Sequence, residues 1–401
     1  MDVLALQVHR SRPRYLASRA LARHAPGVVS GGLAPLRLVS TTAPRPRGCG
    51  WGMLRPRLAG ICGSDLSMLS GGSSPYFSPL VSFPITPGHE IVGDLIDDLD
   101  DLPGGTRVVV DPVLGCAPRG LPLCPECAAG RPGRCQHVTV GHLAPGLQTG
   151  FCADVGGGWS RQLAVHRTQV HPVPDALPDH RAVLVEPLAC AVHAALRAEV
   201  TSDEQLVVVG SGVIGLLTVL ALRALTDAGR IIATAKHPHQ AELARRFGAS
   251  SVTSSEGAVD TVRRETRAFR LHPDLGPDFL LGGADVALDC AGTRGSLELA
   301  LRSVRAGGRV VLAGMPPQNV DLSPAWFREL TVLGAYATGR EPVDGGRSSF
   351  DLAFELARDA TLDDLTITTY ALQRWRQAID HALDAGRLAT AKVAFDLTAK
   401  D

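Results

Sequence analysis

The sequence predicts an α/β protein of two domains, an all-β N-terminal part followed by a doubly wound parallel sheet. Three observations carry that prediction. The chain has 401 residues, more than one hydrophobic core usually serves. Up to about residue 180, short apolar runs lie between Gly- and Pro-rich turns, the texture of antiparallel strands. From residue 205 the grain changes to buried strands alternating with helices, the pattern of a parallel sheet with crossover helices.

Taken in order, "VLALQV" (3–8) and "PLRLVST" (35–41) read as opening strands. They fall in a 57-residue stretch with ten arginines and one acid, Asp2, which is also the composition of a transit peptide. Strand periodicity from the very terminus favours the strand reading. "RVVVDPVLG" (107–115), "RQLAVH" (161–166) and "QVHPVP" (169–174) continue the all-β part, and residues 180–200 turn helical. "QLVVVG" is a buried strand, and residues 213–229 form a long helix ending on Gly229. "RIIAT" and "PHQAELARRFGA" repeat the strand–helix unit, and "SVT" (251–253), "ADVALDCAG" (284–292) and "GGRVVLAG" (307–314) add strands. "RLHPDLGPDFLLGG" (270–283) reads as a loop insertion. The chain closes with "FDLAFELARD", "ALQRWRQAIDHALDAGRL" and a final strand, "AKVAFDL".

Composition narrows the function. Only 4% of residues are aromatic, so the core must be built from Val, Leu, Ile and Ala. Forty basic residues balance forty acidic ones, which excludes nucleic acid or an anionic membrane as the main partner. No run approaches the ~18 apolar residues of a membrane span. Nine cysteines, an odd number without a secretory signal, point to a reducing cytoplasm, where a tight cysteine cluster reads as metal.

"VVVGSGVIG" (207–215) sits between a strand and a helix, the context a dinucleotide motif needs. Gly210 permits the tight turn, Gly212 lets backbone approach a pyrophosphate, and Gly215 allows helix to pack on strand. Val213 and Ile214 open the helix whose N-terminus faces the negative charge. An NAD site usually ends its second strand with a carboxylate. Here that place is Ala235, followed by Lys236 and His237, so NADP is favoured over NAD.

Two segments supply metal donors. "LAGICGSDLSML" (58–69) offers the Cys62 thiolate, and "TPGHEIVG" (86–93) the His89 imidazole, both suited to zinc. Asp65 has the right chemistry to hold the other imidazole nitrogen. Glu90 adjoins His89, and Glu186 in "LVEPLAC" is a later carboxylate. "PLCPECAAGRPGRC" (122–135) has the rhythm of a zinc knuckle, with Cys124, Cys127 and Cys135. Cys49, Cys152, Cys190 and Cys290 read as packing residues.

From "GICGSD" through "GHE" and the cysteine lobe to "VGSGVIG", the chain resembles the medium-chain, zinc-dependent alcohol and polyol dehydrogenases, the sorbitol, glucose and threonine dehydrogenases among them. The resemblance implies a GroES-like β domain over residues 1–190, with a zinc lobe at 115–136. It further implies a Rossmann domain over 191–337, and a return to the first domain over 338–401. It implies a catalytic zinc on Cys62 and His89, completed by Glu186, Glu90 or both, because the family's second cysteine falls at Glu186. The resemblance gives Ser64 the proton-relay role, and leaves Lys392 either beside the cofactor phosphates or as a plain surface lysine. The family's lobe runs C-x2-C-x2-C-x7-C, but its first place is Leu121, so Cys116 upstream is the substitute fourth ligand of a closed structural zinc. Hydride transfer between a small alcohol or polyol and NADP or NAD follows, in a homo-dimer or homo-tetramer that the resemblance joins through edge strands, here "ELTVLGAY" (329–336). A zinc-free quinone or enone reductase of the same fold and a non-catalytic dinucleotide-binding protein are the rival readings; Cys62, His89 and Glu186 stand against the first, and Ser64 and Cys62 against the second.

Overall fold

A computed structural model describes residues 2–22, 26–31, 34–46, 48–343 and 345–399. The chain divides into two compact units, one of residues 1–186, 338–340 and 366–401, the other of 187–337 and 341–365. The second unit thus takes residues 341–365 out of the stretch expected to return whole to the first. Glu341 there holds His193 of helix Val185–Arg197 at 2.7 Å, and helix Ser349–Leu356 buries Phe350, Leu352 and Ala353.

The first unit is built on a seven-stranded sheet. Strand Trp51–Gly60 pairs antiparallel with Ile91–Leu95, Leu163–His166 and the last strand, Lys392–Asp396. Strands Asp2–Val8 and Leu36–Thr42 form an antiparallel pair in continuous register from Asp2–Thr42 to Val8–Leu36. Between them lies helix Arg12–Leu21, which the sequence reading passed over: Arg and Pro dominate its first turn, and only Ser18 is buried. Leu6 and Val8 enter one core with Ile61, Leu69, Trp159, Trp375, Val393 and Phe395, so the first and last strands flank the segments that carry the candidate metal donors. Trp159 packs rather than lining a cleft: it is fully buried, edge-on to Phe395, and donates its indole N–H to Gly60 O at 3.1 Å.

The second unit is a six-stranded sheet in the order Ser251–Thr253, Arg230–Thr234, Gln205–Val209, Ala284–Asp289, Val304–Leu312, Thr331–Gly334, with every pairing parallel. Three of its central strands, Gln205–Val209, Arg230–Thr234 and Ala284–Asp289, are buried almost throughout, which is why they read as apolar runs. Helix Val213–Leu225 is apolar nearly all round and buries residues 215–222. It stops four residues before Gly229, because Thr226 turns extended and its hydroxyl donates to the Leu222 carbonyl at 2.7 Å. The expected loop insertion contains a small antiparallel hairpin, Phe269–Leu271 against Phe279–Leu281. Residues 331–334 do form an edge strand. Among the described residues, no helix is long and apolar enough to cross a membrane.

Candidate active site and metal centres

In the first unit, Cys62 caps the seven-residue helix Gly63–Leu69 with an extended backbone. The Cys62 N–H donates to Asp65 Oδ2 at 3.1 Å, while Asp65 Oδ1 stands 3.6 Å from His89 Nδ1. One carboxylate therefore fixes the thiol-bearing residue and faces the imidazole, although Asp65 Oδ1 and His89 Nδ1, both buried, stand just beyond hydrogen-bond distance. The other ring nitrogen lies toward Ser64, with Nε2 3.4 Å from its hydroxyl. Asp65 and His89 are almost fully buried, at 0% and 4% exposure. Burial opposes a charged imidazolium, yet the Asp65 carboxylate and the Cys62 sulfur outweigh it and raise His89 well above the ordinary histidine range. A buried, anionic pocket that draws a proton onto an imidazole is equally suited to a divalent cation. Thiolate, imidazole and carboxylate are the donor types zinc takes. The residues present fit that ion.

The two candidate carboxylates differ. Glu90 is 1% exposed and its Oε1 is ion-paired at 2.6 Å with Lys392 Nζ. Lys392 is therefore not a surface lysine; it is buried in the first unit and also reaches Ile61 O at 3.5 Å. Burial lowers its pKa, but Glu90, Cys62 and Glu186 together raise it above the ordinary lysine value. Glu90 Oε2 is buried with no partner and lies against Gly60, where any Cβ would come within 1.9 Å of it. Glu186, the second residue of helix Val185–Arg197, is buried as well, at 5% exposure.

Among the described residues, one group of three or more metal donors lies within 4.8 Å of one another: Cys116, Cys124, Cys127 and Cys135. Cys62, His89 and Glu186 stand further apart than that, with Lys392 competing for the carboxylates. In the lobe, Cys116 Sγ and Cys135 Sγ are 3.6 Å apart. Donors at Gln136 and Cys127 pull Cys124 down to about 6, whereas burial pushes Cys135 up to about 11. Leu121, at the family's first ligand place, packs against the sulfurs instead. His137, which the cysteine spacing gave no reason to notice, lies with its Nδ1 3.2 Å from Cys116 Sγ. Cys49 is exposed rather than packed, while Cys152 is fully buried.

In the second unit, Gly210 takes a positive φ of 98° and donates its N–H to Thr234 Oγ1 at 2.9 Å. A Cβ on Gly215 would strike Gly210 O at 1.7 Å, so that glycine is what lets the helix seat. A Cβ on Gly212 would meet nothing within 4 Å, which leaves the space above it open to a ligand. Val213 and Ile214 form the first turn of the helix behind it. A cavity of about 590 Å³ lies here, lined by Gly210, Gly212, Thr234, Lys236, Thr293 and Arg302 among others. The bare turn, the helix N-terminus and the cavity fit a dinucleotide. Ala235 occupies the acid's place, and exposed Lys236 stands beside it on the cavity wall. His237 instead caps helix Pro238–Arg246 and stacks on His239. Hairpin residues Arg270 and Asp278 also line the cavity, a contribution the sequence reading missed.

Two family models match the chain, the alcohol dehydrogenase GroES-like domain over residues 48–175 and the zinc-binding dehydrogenase domain over residues 213–357. Together they cover more than half of its length. A sorbitol dehydrogenase of Bacillus subtilis (strain 168) is 26% identical, over 82% of this chain and 86% of its own. A D-xylulose reductase A of Aspergillus terreus is 29% identical, over 71% and 75%. The solved structure of 2R,3R-butanediol dehydrogenase from Bacillus subtilis shares the fold with a TM-score of 0.69, at 21% identity over 98% of this chain and 99% of that one. The chain belongs to the zinc-dependent medium-chain alcohol and polyol dehydrogenases, and is an oxidoreductase that moves hydride between an alcohol and its carbonyl partner through a nicotinamide cofactor.

Proposed function

We propose that Cys62, His89 and Glu186 hold the catalytic zinc, that Ser64 and Asp65 serve it, and that the substrate is a polyol or similar small alcohol. The observation that carries this reading is the buried cluster in which Asp65 lies toward one ring nitrogen of His89 and Ser64 toward the other. When bound, zinc supplies Lewis acidity that stabilises negative charge on the substrate oxygen. Ser64 accepts the hydroxyl proton, its short side chain being the polar group beside His89 Nε2. Asp65 keeps the imidazole in one tautomer and rotamer. The ion pair with Lys392 favours Glu186 over Glu90 as the carboxylate ligand. Cys116, Cys124, Cys127 and Cys135 would hold a second zinc with no open position, a staple rather than a catalyst.

The cofactor is NADP by preference, with Lys236 meeting the 2′-phosphate that no carboxylate at residue 235 repels. The enzyme works in the cytoplasm as a homo-dimer or homo-tetramer joined through the edge strand Thr331–Gly334.

Metal analysis together with a panel of alcohols, polyols and carbonyl compounds against NADP and NAD tests these assignments. About two zinc ions per chain are expected. A charge-assisted hydrogen bond is worth about 1.5–3 kcal/mol, so Lys236→Ala is expected to lower kcat/KM for NADP about tenfold or more and to spare NAD. A wild-type enzyme that prefers NAD, or a variant that loses both cofactors equally, counts against the NADP assignment.

A further inference from the structure

The cysteine lobe gathers five side chains rather than four. Cys116 Sγ receives the backbone N–H of Cys124 at 3.4 Å and faces His137 Nδ1 at 3.2 Å. The backbone N–H of His137 in turn donates to Cys135 Sγ at 3.3 Å. Residue 137 thus touches two of the four sulfurs, once with its main chain and once with its ring.

The need for such a donor follows from the widened first arm. In a short C-x2-C turn the knuckle's own amides point at the sulfur, and Cys124 is served in this way by Cys127 and Gln136. Cys116 stands outside any such turn and receives one amide, that of Cys124, where Cys124 receives two. Residues 117–123 intervene, running through a short helical turn and Gly120 at φ +65° before reaching Cys124. Cys116 is also fully buried, so water does not make up the deficit. Four thiolates on a divalent ion carry excess negative charge, and N–H donors to sulfur spread it. A ligating thiolate only accepts, so the ring nitrogen facing it must carry the proton. Nor is the imidazole the ligand itself, since Cys116 Sγ is the atom that lies within 4.8 Å of all three other sulfurs.

We propose that His137 is a positioning residue of the lobe, whose Nδ1–H bonds the Cys116 thiolate and so retains the metal in a four-sulfur site with an over-long arm. This rests on reading the lobe as a zinc site.

The test uses the full-length, zinc-loaded enzyme and follows zinc release to a chromophoric chelator. Cys62→Ala, lacking the catalytic ion, identifies the phase that belongs to the lobe. His137→Phe is expected to speed lobe release about 10- to 100-fold, the usual cost of losing an outer partner of a metal ligand. His137→Gln, which keeps an N–H donor, recovers most of the retention, and His137→Ala repeats the loss should the phenylalanine variant fail to fold. Cobalt in the lobe gives a four-sulfur absorption spectrum in both the parent and the variants. Unchanged release in the Phe and Ala variants, or equally fast release from Gln and Ala, overturns the proposal. So does a parent cobalt spectrum of three sulfurs and one nitrogen. A parent chain without lobe metal would sink the zinc reading and this inference together, whereas equal release rates sink the inference alone.

Discussion

Replacing Cys62 by alanine is expected to cut turnover about a thousandfold or more and to remove one zinc equivalent, while nucleotide binding survives. The scale follows from the several kcal/mol that a metal contributes to stabilising charge on a reacting oxygen, each 1.36 kcal/mol being a factor of ten. The selectivity follows from the architecture. Cys62 caps a helix in the first unit, while the Gly210–Gly215 turn and its cavity lie wholly in the second. Steady-state kinetics, metal content and quenching by NADPH separate the three effects. A variant that turned over normally would mean that Cys62 carries no catalytic ion.

The second large effect is on stability. Lys392 and Glu90 form an ion pair with both partners buried, and Glu90 Oε2 already lacks a partner. Removing one member of such a pair leaves the other charged and stranded, which costs about 3–5 kcal/mol. Lys392→Met should therefore lower the denaturant midpoint of the first unit markedly, and the double variant Lys392→Met/Glu90→Leu should recover much of the loss, because charge and counter-charge leave together. Three of the four tryptophans, Trp51, Trp159 and Trp375, belong to the first unit, and the fourth, Trp326, is exposed in the second, so the fluorescence change on burial loss follows chiefly the relevant transition. A single variant as stable as the parent would show that the pair contributes little.

The parallel sheet was legible because strands buried on both faces must be apolar throughout, and "QLVVV", "RIIAT" and "ADVALD" are. The hairpin at 269–281 was not, since its strands are three residues long, half exposed, and separated by Pro and Gly that signal a loop. Helix Arg12–Leu21 escaped notice because Arg and Pro dominate its first turn, it lies in an Arg-rich stretch, and only Ser18 of it is buried. At the site, local spacing exposed Cys62, Ser64 and Asp65, which share one helix turn, and the adjacent pair His89 and Glu90. Lys392 lies 302 residues from Glu90, and no local pattern announces a contact of that span. His137 sits just beyond the last cysteine, so a reading by cysteine count passes over it.

Gly60 sets an order on evolutionary change. Its N–H bonds Glu90 O at 2.8 Å, its carbonyl receives Trp159, and the room a methyl group would need is filled by the Glu90 carboxylate. A lineage that begins at position 60 must pass through that clash, whereas one that begins by shortening residue 90 strands the buried Lys392 charge. The strand and the acid are thus epistatic, since neither change is free while the other residue stands.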